Sequence, residues 1–273
     1  MFFCAFAILK FMPTNVPCAL LAGLDILRDL VPSNTSEKIA DEYEVMEKCT
    51  DIIRGVIMAE RIDKIPMELT KLLECDRFYR VMQGGMSSGK TFAVLCAIIG
   101  FAEENPHTLS TIVTDTVPNL RNGAERDFRH ILHDTGRVDY YSYSATRNIW
   151  TVKGNGSQIE FLALDDPMKA RGARRDALYV NEANRIGYET FDQMASRTRE
   201  FVILDYNPSS RFWVHDELLT KYRSETDFRI STYLDNEALS ESEIRNIERH
   251  DRQSNWWRVY GLGQLGELEK DIS

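Results

Sequence analysis

The sequence predicts an α/β fold: a mostly parallel sheet with helices on both faces, preceded by a helical appendage. Three observations carry this. From about residue 75, short apolar runs of strand character alternate with longer segments of helical period. A glycine- and serine-rich stretch, "GGMSSGKT", sits between one such strand and one such helix. Residues 1–65 show helical spacing and no strand alternation.

The appendage comes first. In "TSEKIADEYEVMEKCTDIIRGVIMAERID" the apolar positions Ile39, Tyr43, Met46, Ile53 and Ile57 follow a helical repeat. Thr35 or Ser36 can cap it, and its acidic residues cluster early, where the helix dipole favours them. Before it, "MFFCAFAILK" is too short to span a bilayer and lacks the basic start of a secretory signal. It reads as a segment to be buried or left loosely defined.

The alternating part then runs in order. "FYRVMQ" is a strand and "KTFAVLCAIIGFAEE" a helix. "STIVTD" is a strand and "NLRNGAERDFRHILHD" a helix. "NIWTVKG" and "SQIEFLAL" form a hairpin around Gly154, Asn155 and Gly156. "ALYVN" is a strand, "YETFDQMASRT" a helix, "EFVILDYNP" a strand and "VHDELLTKY" a helix. Strands alternating with helices require a largely parallel sheet covered on both sides.

Bulk composition narrows the function classes. A chain of 273 residues, 43% hydrophobic and 27% charged, has ample material for one large domain with a smaller appendage. The net charge of −9 excludes a uniformly basic nucleic-acid coat, though not a local basic groove. Cys4, Cys18, Cys49, Cys75 and Cys96 form no Cys-x-x-Cys pair and have no histidine companions at metal-ligand spacing. Neither a disulfide framework nor a zinc site is expected.

Gly84, Gly85, Met86, Ser87, Ser88, Gly89, Lys90 and Thr91 fit G-x-x-x-x-G-K-[ST] in strand-loop-helix context. Backbone N–H groups of such a loop must turn inward to cradle a polyphosphate, and glycine permits the dihedrals and the close approach. The start of the following helix adds positive potential. Lys90 is placed to reach the β- and γ-phosphates of ATP, and Thr91 to offer its hydroxyl to Mg²⁺.

The apolar run Ala177–Val180 ends on Asn181 and Glu182, near the phosphates if this strand neighbours the loop strand. Ligands of such sheets sit at the carboxyl ends of strands, where Glu182 can deprotonate an attacking water. Capping a helix is its other reading. Asn181 stands where an aspartate would hold Mg²⁺ through water. It can still accept from a metal-bound water, or the charged role moves to Asp176 or Asp205. Another strand ends in Asp205, Tyr206 and Asn207, and an amide there can sense the γ-phosphate, or else begin an Asn-Pro turn. Lys169, Arg171, Arg174 and Arg175 precede the Glu182 strand and could furnish an arginine finger or a DNA-facing patch. Arg121, Arg126, Arg129 and Arg137 place a second basic set partly on one helical face.

Together "GGMSSGKT", "KARGARRDALYVNEA", "ILDYNPSS", "STYLDN" and "WWRVYGLGQLGE" resemble, in that order, the ATPase domain of tailed-phage terminase large subunits, over about residues 70–268. The resemblance implies an ASCE-type, RecA-like P-loop ATPase occupying residues 66–273, with residues 1–65 outside it. It implies ATP and Mg²⁺ as cofactors, with hydrolysis driving double-stranded DNA into a procapsid. By position, Lys90 and Thr91 would bind nucleotide, Glu182 would be catalytic, and Asn207 would lie in the coupling motif. Arg171 would reach a neighbouring subunit's nucleotide, since Met86-Ser87-Ser88 leaves the loop without an arginine of its own. Implied partners are DNA, a portal protein, a small terminase subunit and further copies in a ring, in the host cytoplasm and without a membrane. The family's nuclease domain is expected to be absent from this chain, so that no nuclease activity is expected and a separate nuclease chain is a possible partner. A helicase or AAA-type remodeller, and a catalytically weak nucleotide-binding remnant, are the competing readings.

Overall fold

The computed structural model describes residues 67–165 and 174–267. The expected appendage over 1–65, and Lys169 and Arg171, lie outside the described residues. The fold below is that of the unit Pro66–Ile131 with Val138–Ser273.

After α1 (Met67–Leu73), β1 (Tyr79–Gly84) leads through the glycine-rich loop into α2 (Lys90–Glu104). β2 (Leu109–Thr114) is followed by α3 (Val117–Asn122) and α4 (Ala124–Asp134). Then come β3 (Tyr141–Ser144), β4 (Ile149–Val152), β5 (Gln158–Ala163) and β6 (Arg175–Val180). α5 (Tyr188–Ala195) and β7 (Thr198–Tyr206) follow. A π-helical turn (Val214–Leu218) runs into α6 (Leu219–Lys221), and the described chain closes with β8 (Thr226–Ser231), α7 (Glu241–Glu248) and a second π-helical turn (Trp257–Gly261).

The strands form an eight-stranded sheet in the order β3-β4-β5-β2-β6-β7-β1-β8. All pairings from β5 to β8 are parallel, and β4 is antiparallel to both β3 and β5. The α/β class and the hairpin are therefore as the sequence predicts. The strand of Glu182 does not adjoin the loop strand, however. β7 is inserted between β6 and β1, so the tip nearest the loop carries Asp205 rather than Glu182.

Strand period sorts the side chains. Val81 of β1, Leu178 and Val180 of β6, and Val202, Leu204 and Tyr206 of β7 pack with Phe191 and Met194 of α5 in one buried cluster. Because side chains alternate across a strand, Tyr179, Asn181, Ile203 and Asp205 take the other face. The register pairs Tyr179 with Ile203 and Val180 with Leu204, which brings Asn181 level with Asp205.

Two segments differ from the sequence reading. The helix expected over 119–134 is two, because Gly123 leaves the helical region at φ −110° and ψ −112°, and a Cβ there would stand 2.7 Å from Asn119 O. Its basic residues are not an open stripe either: Arg126 pairs with Asp127, and Arg129 pairs with Glu125 at 2.7 Å. The helix expected over 214–222 is a π-helical turn with only a short α-helical end.

Candidate nucleotide site

The carboxyl ends of β1, β6 and β7 meet at a cavity of about 350 Å³, lined by the whole loop from Gly85 to Thr91 and by Asn181, Glu182, Asp205, Asn207 and Asn236. The site is built on the loop's backbone. Ser87 and Gly89 take left-handed conformations, at φ 57° and 79°, and so turn the chain between β1 and α2. Three contacts brace it from the late part of the chain. The Gly85 N–H donates to Ser231 O at 2.9 Å and the Met86 N–H to Tyr260 O at 2.9 Å. The Asn236 amide donates to Ser87 O at 2.8 Å.

Lys90 begins α2 and is buried. Its ammonium donates to Gly85 O at 2.8 Å, to Ser88 Oγ at 2.9 Å and to Asn207 Oδ1 at 3.4 Å. Burial lowers its pKa to about 8, against the opposing pull of the Asp205 carboxylate. Asn207 is thus within reach of the loop lysine.

Thr91 Oγ1 donates to Asp205 Oδ2 at 3.0 Å. Asn181 Nδ2 donates to Asp205 Oδ1 at 3.0 Å and to the Tyr179 hydroxyl at 3.1 Å. Of the two carboxylates left open at sequence level, only Asp205 is at this end. Asp176 opens β6, where it accepts from the Leu109 N–H at 2.8 Å and pairs with Arg199 at 3.0 Å. Arg175 also belongs to the start of β6, the end opposite Glu182.

Glu182 follows β6 in a left-handed conformation, φ 55° and ψ 53°, which is strained for a residue with a side chain. Its N–H donates to Asp205 Oδ1 at 3.0 Å, which holds it there. Its side chain caps nothing in the short 3₁₀ turn Ala183–Arg185. Instead Oε2 forms an ion pair with Arg185 Nε at 2.8 Å, and Arg185 also reaches toward Asp115 Oδ2 at 3.7 Å. Burial raises the Glu182 pKa from its ordinary value, and Arg185 opposes the shift. A carboxylate with a raised pKa at the edge of a cavity can act as a general base.

Among the described residues, no cluster of three His, Cys, Asp or Glu side chains could hold a metal ion. Thr91 and Asp205 nevertheless offer adjacent oxygens, which suits a hard divalent cation that completes its shell with phosphate oxygens and water.

The family model for the phage terminase large subunit matches residues 76–264. This chain belongs to the phage terminase large subunit family. Solved terminases share the fold at low identity. The large terminase of a thermophilic bacteriophage superposes with a TM-score of 0.60 at 15% identity, over 79% of this chain and 53% of that one. The ATPase domain of the Thermus phage P74-26 large terminase gives 0.58 at 14%, over 79% and 98%. The HK97 large terminase gives 0.61 at 10%, over 78% and 55%. This chain thus spans about half the length of the first and the third of these terminases, and shares the fold of the second, an isolated ATPase domain. The first, from the thermophilic bacteriophage, has also been solved with ADP and with ATP-γ-S. No curated protein matches the chain. In this terminase chain the loop residues from Gly85 to Thr91 line one cavity with Asn181, Glu182 and Asn207, while Gly84 is outside its lining. Arg171 lies outside the described residues. Tyr179, Arg185 and Asn236 were not anticipated. Asn236 lies in the "STYLDN" segment that carried the resemblance, which was its one sequence signal.

Among the described residues no helix is long and apolar enough to cross a membrane.

Proposed function

We propose that this chain hydrolyses ATP and uses the energy to move double-stranded DNA during viral packaging. One observation supports this most: Lys90, Thr91, Glu182, Asp205 and Asn207 face a single cavity from the loop and from neighbouring strand tips. Family membership and the nucleotides bound to the thermophilic bacteriophage's terminase support the same reading.

In this reading the loop N–H groups and Lys90 bind the triphosphate, with Lys90 leaving Gly85 O for the β- and γ-phosphate oxygens. Glu182 orients a water and takes its proton as the water oxygen attacks the γ-phosphorus and the bond to the β-phosphate oxygen breaks. Thr91 would help hold Mg²⁺, which when bound neutralises charge across the β- and γ-phosphates. Asn207, bonded to Lys90, senses loss of the γ-phosphate. Arg171 supplies positive charge to a neighbouring copy in a ring on DNA, with a portal protein and a small terminase subunit as further partners. Phosphate release with and without double-stranded DNA tests the reading. Turnover that DNA stimulates is the expected result, and a chain that binds ATP without turning it over would favour the nucleotide-binding remnant.

A further inference from the structure

Asp205 is outside the nucleotide loop, and its side chain is the most heavily bonded carboxylate of the cavity. It is 3% exposed. Thr91 Oγ1 donates to its Oδ2, while Asn181 Nδ2 and the Glu182 N–H donate to its Oδ1, each at 3.0 Å. Tyr179, wholly buried, adds its hydroxyl to the same cluster through Asn181. An ionised carboxylate has only acceptors, so hydrogen bonding fixes which end of the Asn181 amide faces it. Position 181 therefore gives Asp205 a donor and presents no charge of its own.

We infer that Asp205 is the carboxylate that receives the divalent cation beside Thr91, and that Asn181 and Tyr179 are positioning residues for it. The inference rests on the ATPase reading above. Sheet order is its physical basis. With β7 inserted between β1 and β6, Asp205 lies opposite Met82, two residues before the loop begins at Gly84. Position 181 is one strand further away. Mg²⁺ takes octahedral oxygen ligands at about 2.0–2.1 Å, which puts neighbouring ligands about 3 Å apart. Thr91 Oγ1 and Asp205 Oδ2 are 3.0 Å apart. The negative charge usually carried on the Glu182 strand has thus moved to the next strand tip, and Asn181 has become its donor.

The test is the metal enhancement of nucleotide binding: the affinity of the full chain for ATP-γ-S with Mg²⁺ divided by that in EDTA. Asp205→Asn is expected to bring this ratio down to about one while metal-free binding survives, whereas Asn181→Ala keeps at least about a third of it. An unchanged ratio in Asp205→Asn, or its loss in Asn181→Ala, would overturn the assignment. Where circular dichroism shows that Asp205→Asn does not fold, Asn181→Ala alone decides by the same criterion. A wild-type chain that binds ATP-γ-S with no metal enhancement would overturn this assignment and leave the P-loop standing. A wild-type chain that binds no nucleotide would remove both.

Discussion

The Lys90 ammonium donates to the carbonyl oxygen of Gly85 at 2.8 Å, within the loop that both residues belong to. The loop thus satisfies its own lysine, and burial brings that lysine's pKa down to about 8. Phosphate oxygens favour the charged form, so the nucleotide complex holds this proton more tightly than the free protein does. Between these two pKa values, binding takes up a proton. ATP affinity is therefore expected to be flat in pH below about 8 as far as Lys90 is concerned, and to fall above it by up to about tenfold per pH unit. Calorimetric titration across pH 7 to pH 10 checks this. An affinity that rises with pH would contradict the assignment of Lys90 to the phosphates.

Gly85 lies against the late part of the chain. A Cβ there would stand 2.3 Å from Tyr260 O, a backbone atom that cannot swing away. Gly85→Ala is expected to cost about 1–3 kcal/mol and to lower Tm by several degrees. It should also weaken ATP binding, since the Met86 N–H to Tyr260 O bond shapes the loop. Gly154→Ala is the control, with nothing within 4 Å of its added carbon. Thermal melts of the two variants should separate clearly.

Beneath the loop is a buried polar network. Gln83 Nε2 donates to Gly263 O at 2.8 Å, and Gln83 Oε1 lies 3.0 Å from both the Tyr206 hydroxyl and His215 Nε2. The Phe212 N–H donates to His215 Nδ1 at 3.4 Å, so the neutral ring carries its proton on Nε2 and donates to Gln83. Burial lowers the His215 pKa. The unfolded chain then binds more protons as pH falls toward and below the ordinary histidine value, about 6.5. Stability from this group is present above that value and lost as pH falls through the lowered one. Tm is expected to drop on acidification from pH 7 to pH 5, and His215→Leu should flatten that slope while lowering Tm at pH 7. A slope unchanged in His215→Leu would show that the histidine is not the titrating group.

Much of the fold was legible because local pattern and topology agreed. The loop motif fixed the end of β1 and the start of α2, and continuous apolar runs marked β6 and β7, which are buried in the interior of the sheet. β8 was missed because "TDFRIS" is an edge strand that carries Asp227 and Arg229, paired with each other, where an interior strand would be apolar. α7 was missed for a similar reason: "ESEIRNIE" buries only Ile247. At the site, Lys90 and Thr91 were readable from spacing. The choice between Asp176 and Asp205 turns on which end of its strand each occupies, Asp176 opening β6 and Asp205 closing β7 at the cavity. Asn236 was out of reach of local pattern, since its bond to Ser87 O spans 149 positions of sequence.

Arg171 is the expected cation for a neighbouring copy. The loop supplies no arginine, and Arg185 is engaged with the Glu182 carboxylate itself. A finger acting between copies predicts complementation. An Arg171→Ala chain keeps an intact loop, and a Glu182→Gln chain keeps an intact finger. Mixing the two inactive proteins should restore part of the turnover, because such fingers are worth roughly 10³ to 10⁵ in rate. No recovery, with assembly verified by light scattering, would sink this arrangement.

Centrally, Lys90 is assigned to hold the phosphates while Glu182 performs the chemistry on them. The most direct measurement identifies the nucleotide that stays on purified Glu182→Gln and Lys90→Ala chains after incubation with labelled ATP and Mg²⁺. Glu182→Gln preserves shape without a base, so it should retain intact ATP, while the wild type retains ADP and Lys90→Ala retains little of either. Glu182→Gln converting its bound ATP to ADP at the wild-type rate would contradict the account.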